Sequence, residues 1–158
     1  MIRRYADADL LPLLAIVNQP EVSRWWGTWK ARELAKEIRG ATLAWTIELD
    51  GEPAGLVAAR EDSDPDSYGV DLDVFLDSAR AGQGIGGDAL RQALRMLFEG
   101  RGHHRATIYV SPDNKRAIRA YEKLGFKPVG ILRRCARMDD GKWHDELIMD
   151  LLTEEMLD

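Results

Sequence analysis

The 158-residue chain contains one cysteine, Cys135, which excludes a disulfide framework and a thiolate metal cluster and suits a protein kept in reducing surroundings. Long apolar runs are missing as well. The longest, residues 10 to 17, is interrupted by Pro12 and falls far short of the ~20 residues that a membrane span requires. There is no surplus of basic charge: 22 Lys and Arg face 27 Asp and Glu, a net charge of -5. Binding to nucleic acid or an anionic membrane needs a basic face to displace counterions, so neither partner is expected. The opening Met1-Ile2-Arg3-Arg4-Tyr5 lacks the apolar stretch and cleavage site of a secretory signal, and the cytoplasm is the default expectation. Repeats, low-complexity segments and Pro/Gly/Ser-rich linkers are absent, so a single domain over residues 1 to 158 is expected.

What is present reads as a folded globule, with 45% hydrophobic and 31% charged residues. Residues 2 to 6 suit a short strand. Leu10, Leu13, Leu14 and Val17 fall at helical spacing behind a cap at Asp7 or Asp9, and a second helix is expected at 30 to 39. Residues 41 to 49 and 53 to 59 form strands joined across Asp50-Gly51, a dipeptide that supplies the positive φ angles of a tight hairpin turn. Residues 61 to 67 are an acidic loop with Pro65. Along 70 to 76, Val70, Leu72, Val74 and Leu76 take one strand face and Asp71, Asp73 and Phe75 the other. A glycine-rich stretch then opens a helix to about residue 99. Next come a strand at 105 to 110, a helix capped by Asp113 or Asn114 and stopped at Gly125, and a long hairpin around Asp140-Gly141. Tight turns make neighbours antiparallel, while the strand-helix-strand unit from 70 to 110 favours a parallel pair. The expected class is α/β (α+β), with a mixed, mostly antiparallel sheet flanked by helices.

Two motifs carry chemistry. In Arg80-Ala-Gly-Gln-Gly-Ile-Gly-Gly87 the glycines allow backbone amides to approach a phosphate, and the helix start adds unpaired N–H groups and a positive dipole end. Gly82, Gly84 and Gly87 also match the dinucleotide pattern G-x-G-x-x-G. Residues 77 to 81 separate that pattern from the strand, and the acidic residue expected about 20 positions on is missing, so the dinucleotide reading is a minor competitor. In the second motif Asn114 and Tyr121 lie seven residues apart, about 20° around a helix and about 10 Å along it. One helix face thus offers an amide and a phenol, although a cap and a half-buried core tyrosine would show the same spacing.

Together with Gly125-Phe126, these stretches resemble the GCN5-related N-acetyltransferase (GNAT) superfamily, whose acetyl-CoA motif is Q/R-x-x-G-x-G/A. The motif's first residue falls on Ala81, with Arg80 one place early. The resemblance implies that acetyl-CoA is the co-substrate. Its pyrophosphate would lie on Gly82, Gln83, Gly84, Ile85, Gly86 and Gly87, and its pantetheine arm beside the backbone of Val74, Phe75 and Leu76. Asn114 and Tyr121 would meet the arm and the thioester sulfur. An amine attacks a thioester only when neutral and is largely protonated at neutral pH, so a base is wanted. Asp73, or Asp71 on the same face, suits that role; the same alternation would also arise from a strand's wet face. The resemblance further assigns the Val74 amide to the developing oxygen and Tyr121 to protonation of the departing thiolate.

The acceptor is less legible. Asn18-Gln-Pro-Glu-Val-Ser-Arg-Trp-Trp-Gly27 is similar to aminoglycoside 6'-N-acetyltransferases, although the acidic residue those enzymes carry before Asn114 is replaced by Val110-Ser111-Pro112. The segment from Asp140 to Leu152 resembles the ribosomal-protein N-terminal acetyltransferase branch. Trp25 and Trp26, with Trp29, either wall the acceptor site or pack in the core. The expectation is an enzyme that acetylates a primary amine of a small molecule or peptide. An aminoglycoside acceptor is the alternative, and a non-catalytic acetyl-CoA sensor is the alternative of another class. No metal is expected: His103, His104 and His144 form no ligand set with Cys135, which is itself expected to be a small buried residue. A homodimer is left open.

Overall fold

A computed structural model describes residues Met1–Asp158. The chain divides into two compact units, Met1–Arg60 with Asp73–Ala93, and Glu61–Leu72 with Leu94–Asp158. One strand, β4 (Gly69–Leu76), contributes its first half to the second unit and its second half to the first.

The first unit begins with β1 (Ile2–Arg4), a 3₁₀ turn at Asp7–Asp9, and three helices, α1 (Leu10–Val17), α2 (Pro20–Trp26) and α3 (Ala31–Gly40). The hairpin of β2 (Leu43–Leu49) and β3 (Glu52–Asp62) follows. Its turn has φ of 52° at Asp50 and 78° at Gly51, the paired positive angles that let two central residues follow the right-handed twist of the strands. Leu13, Ile16 and Val17 of α1 pack with Val22 of α2 and with Leu34 and Ile38 of α3, over Leu56 of β3 and Phe75 of β4. Each large side chain removed from water there is worth about 1.5–3 kcal/mol.

Helix α1 starts differently from the sequence expectation. Asp9 does not cap it. Its buried carboxylate turns back to Arg3, with N–O distances of 2.7 and 2.8 Å, and accepts from the Ala6 amide at 3.0 Å and the Thr46 hydroxyl at 2.7 Å. The Arg3 guanidinium, aided by those two donors, holds Asp9 far below the usual carboxylate range. Helix α2 was not expected. It is seven residues long and buries only Val22, too little apolar periodicity to register, although Pro20 at its first turn is a start signal.

In the second unit the start of β4 pairs in parallel with β5 (Arg105–Val110), from Val70↔Ala106 to Leu72↔Ile108. Helix α5 (Lys115–Glu122) ends with its cap at Lys123, two residues before the expected stop at Gly125, whose φ of 106° turns the chain towards the next strand. Strand β6 (Lys127–Arg137) lies outermost, and β7 (Trp143–Leu152) inserts between β5 and β6, antiparallel to both. Met149 and Leu151 of β7 are fully buried. Hydrogen bonding thus runs β1-β2-β3-β4-β5-β7-β6, a mixed, mostly antiparallel sheet as the residue pattern implied. Cys135 is a correction: it is exposed rather than packed in a core, because β6 is an edge strand whose residues are almost all open to solvent. Partial desolvation of the thiol by its neighbours, and then the nearby Glu146 carboxylate, raise its pKa.

Candidate active site

The strand-to-helix connection of the first unit is built to hold its glycines open. The Asp77 carboxylate accepts from the Ala79 amide at 3.0 Å and from the Gln19 side-chain amide at 3.0 Å, while Gln19 Oε1 accepts from the Ser78 amide at 2.9 Å. Gln19, just before α2, therefore pins the start of the loop. Sequence reasoning missed this contact, since a partner 58 residues away leaves no local signal. Beyond it Gly82 and Gly84 have φ of 78° and 80°, angles that a Cβ would strain. Helix α4 (Ile85–Arg95) follows, and the Asp88 backbone amide donates to the Gly84 carbonyl at 3.0 Å. The amides of Ile85, Gly86 and Gly87 precede that first intrahelical bond and belong to the positively polarised helix end. A Cβ built on Gly82, Gly84, Gly86 or Gly87 meets nothing within 4 Å. Internal packing therefore does not explain these glycines; the backbone angles call for Gly82 and Gly84, and the open space leaves room for an anion to approach the loop amides. Arg80 adds a half-exposed cation beside the loop, 3.6 Å from Asp50.

Strand β4 leads into this loop. Its residues Asp73–Leu76 lie beyond the last rung of the parallel ladder at Leu72. Trp26 of α2 packs edge-on against Phe75, ring centroids 5.1 Å apart, and its indole N–H donates to the Val74 carbonyl at 3.2 Å. Trp29 is fixed in turn by donating to the Trp26 carbonyl at 2.9 Å and by two bonds to the Asn18 side-chain amide, both 2.8 Å. Trp26 thus takes a packing role and also fixes the strand's backbone, whereas Trp25, also partly buried, carries the Arg24 guanidinium over its ring at 4.5 Å. The half-exposed Asp73 pairs with Arg60 of β3, and Arg60 reaches Glu37 of α3 with its other terminal nitrogen. Neither Arg60 nor Glu37 was singled out from sequence, because their approach depends on strand and helix packing.

In the second unit Asp71 is exposed on the early part of β4. Asn114 caps α5, its Oδ1 accepting from the Ala117 amide at 3.3 Å, so its oxygen serves as the helix cap. Tyr121 is buried, with its ring 6.0 Å from that of Phe126. Sequence reasoning also missed a cluster at the start of this unit. His103 is fully enclosed, stacked on Tyr68 at 4.2 Å and 2.8 Å from Glu61, while its Nδ1 has no partner. Arg101 first, and His103 second, hold the Glu61 carboxyl down at about 2.

Residues 1–127 match the acetyltransferase (GNAT) domain family, and the chain belongs to it. It is an N-acetyltransferase of that family. The aminoglycoside N(6')-acetyltransferase type 1 of Klebsiella pneumoniae is 27% identical over 152 residues, covering 83% of this chain and 75% of the relative. The RimJ protein of Mycobacterium smegmatis, solved with CoA-disulfide, superposes with a TM-score of 0.85 at 24% identity over 98% of this chain and 82% of its own. The ribosomal-protein-S18-alanine N-acetyltransferase of Escherichia coli superposes with a TM-score of 0.77 at 25% identity over 96% and 92% of the two chains. No helix is long and apolar enough to cross a membrane.

Proposed function

We propose that this enzyme moves the acetyl group of acetyl-CoA to a primary amine of a small molecule or peptide. The observation that carries the reading is the loop at 82–87, whose glycines have open space above a helix start and follow a strand whose last four residues lie beyond the parallel ladder. When bound, acetyl-CoA supplies an activated acetyl thioester. The loop amides bind its pyrophosphate, and the backbone of Val74, Phe75 and Leu76 holds its pantetheine arm as an added strand would be held. The indole bond to the Val74 carbonyl fixes that backbone.

Asp73 takes a proton from the acceptor ammonium, which frees the nitrogen lone pair for attack on the acetyl carbon. The Val74 amide donates to the carbonyl oxygen as charge develops there. Tyr121 gives its phenolic proton to the sulfur as the C–S bond breaks, and Asn114 offers its side-chain N–H₂ to the arm while its oxygen caps α5. Of the two protons that leave the acceptor ammonium, the balance puts one on the CoA sulfur and one in solvent. Asp71 is the reserve carboxylate on the same strand face, and Trp25 and Trp26 belong to the acceptor side.

Similarity to the Klebsiella pneumoniae aminoglycoside enzyme favours a second reading, in which a polycationic aminoglycoside is the acceptor. One experiment tests both: acetyl-CoA is incubated with the protein and a panel of aminoglycosides, polyamines, amino acids and N-terminal peptides, and acetyl addition is followed by mass spectrometry. Transfer to one class names the acceptor. Asp73→Asn and Tyr121→Phe should each lower turnover by about 10²-fold or more with little change in acetyl-CoA affinity. Loss of affinity instead would assign both residues a structural role.

A further inference from the structure

Arg60 holds two carboxylates at once, Asp73 with one terminal nitrogen and Glu37 with the other. All three side chains are open to water, with exposures of 33%, 35% and 46% for Arg60, Asp73 and Glu37. Arg3, 36% exposed, likewise holds two carboxylates, Asp9 and Glu48, and the contrast lies in how Asp9 is enclosed. There the Asp9 side chain is 6% exposed, and a hydroxyl and a backbone amide complete its shell, as a pair that fastens the fold requires. The solvent-open trio is fastened by charge alone, and exposed pairs of that kind contribute little to stability. It also places a cationic nitrogen donor on the carboxylate that the proposed reaction needs for an ammonium.

We infer that Arg60 is a specificity-determining residue that sets how much positive charge the acceptor carries. Resting on the reading of Asp73 as the acceptor-side base, the argument is one of charge count. Glu37 and Asp73 without Arg60 present two negative charges, which match a diamine; with Arg60 they present one, which a monoamine neutralises. An incoming ammonium takes the place of the guanidinium on Asp73. Arg60 then remains on Glu37 and repels a second cation on the acceptor. The native enzyme therefore selects acceptors with one cationic centre, and Arg60 acts against polycations in a chain whose overall charge would attract them.

The test uses n-butylamine and 1,4-diaminobutane, matched in length and differing by one ammonium group. Values of kcat/KM with acetyl-CoA, and dissociation constants in the presence of CoA, are measured for the native enzyme, Arg60→Gln and Arg60→Lys. Arg60→Gln should shift the diamine-to-monoamine ratio towards the diamine by about two- to fivefold, the scale of one exposed charge interaction. The change should appear in KM and Kd rather than kcat and shrink in high salt. Arg60→Lys should keep the native ratio. A ratio unchanged in Arg60→Gln, in an enzyme that still acetylates amines, overturns the inference and leaves the proposed function standing. A shifted Kd ratio without turnover upholds the charge selection and removes the acetyl-transfer reading. Failure of both variants and the native enzyme to bind either amine overturns the inference as well.

Discussion

Gly55 offers a direct way to perturb the proposed arm-holding strand without touching it chemically. It sits in β3 opposite Ile47, and a Cβ at this position would lie 2.3 Å from the Phe75 carbonyl oxygen and 3.1 Å from the Leu76 Cα. Both are backbone atoms and cannot swing aside as a side chain can. Restoring an ordinary van der Waals separation requires the carbonyl to retreat by about 1 Å. Overpacking of this kind costs about 1–3 kcal/mol, and the shift also strains the adjacent bond from the Asp77 amide to the Ala54 carbonyl, now 2.7 Å long and worth about 1 kcal/mol. Replacing glycine in a strand returns about 0.5–1 kcal/mol. The net loss is about 2–3 kcal/mol, which for a chain of this size lowers the melting temperature by about 5–10 °C. Gly55→Ala should therefore melt earlier by that amount in a circular-dichroism thermal scan and bind acetyl-CoA more weakly by calorimetry, because Phe75 and Leu76 have moved. Gly40→Ala, where a Cβ meets nothing within 4 Å, is the control and should melt at or slightly above the native temperature. Native melting and native affinity in Gly55→Ala would refute the argument that β4 is seated against β3 at this glycine.

Other outcomes follow from features of the two units. Gly84→Ala should lose about 1–2 kcal/mol of stability from its φ of 80° and, more tellingly, at least tenfold in acetyl-CoA affinity by calorimetry, since the methyl group intrudes where phosphate must approach. The Glu61 carboxyl is held down from 4.5 to about 2 in the folded state, so its stabilisation is complete above pH 4.5 and drains away as pH falls towards 2. Acid titration followed by tryptophan fluorescence should show that dependence flattened in Glu61→Gln. The indole bond of Trp26 to the Val74 carbonyl, 3.2 Å long, predicts that Trp26→Phe keeps the packing against Phe75 but raises KM for acetyl-CoA in steady-state assays more than it lowers kcat.

Much of this was legible where the signal is local. The Asp50-Gly51 turn and the glycines before α4 announce their backbone angles through residue type, and strand 105 to 110 is bounded by the residues that the pattern indicates. Residues that act through partners distant in the chain were not legible. The guanidinium of Arg60 meets Asp73 only because β3 and β4 bring them together, and it meets Glu37 only because of where α3 packs. Gln19 and Trp26 act on residues 58 and 48 positions away. Asp9 misled because an acid before an apolar helix resembles a cap, and here the Arg3 guanidinium outcompeted the helix amides for its buried carboxylate. Cys135 misled because small thiols are usually buried, whereas its strand lies at an open sheet edge.

The insertion of β7 between β5 and β6 gives the second unit a particular order of assembly. Ile108 pairs with Met149, so β5 waits for about 40 further residues before that edge is covered, or about 2–8 s at ordinary rates of chain synthesis. During that interval the apolar residues Ala106, Ile108 and Val110, all buried in the finished fold, stand on a strand that only β4 can pair, its other edge open. The segment on which this unit most depends is therefore the one made last in it. A nascent chain stalled before residue 143 would carry a template for mispairing, which makes premature termination in the final hairpin an aggregation hazard and not merely a loss of activity.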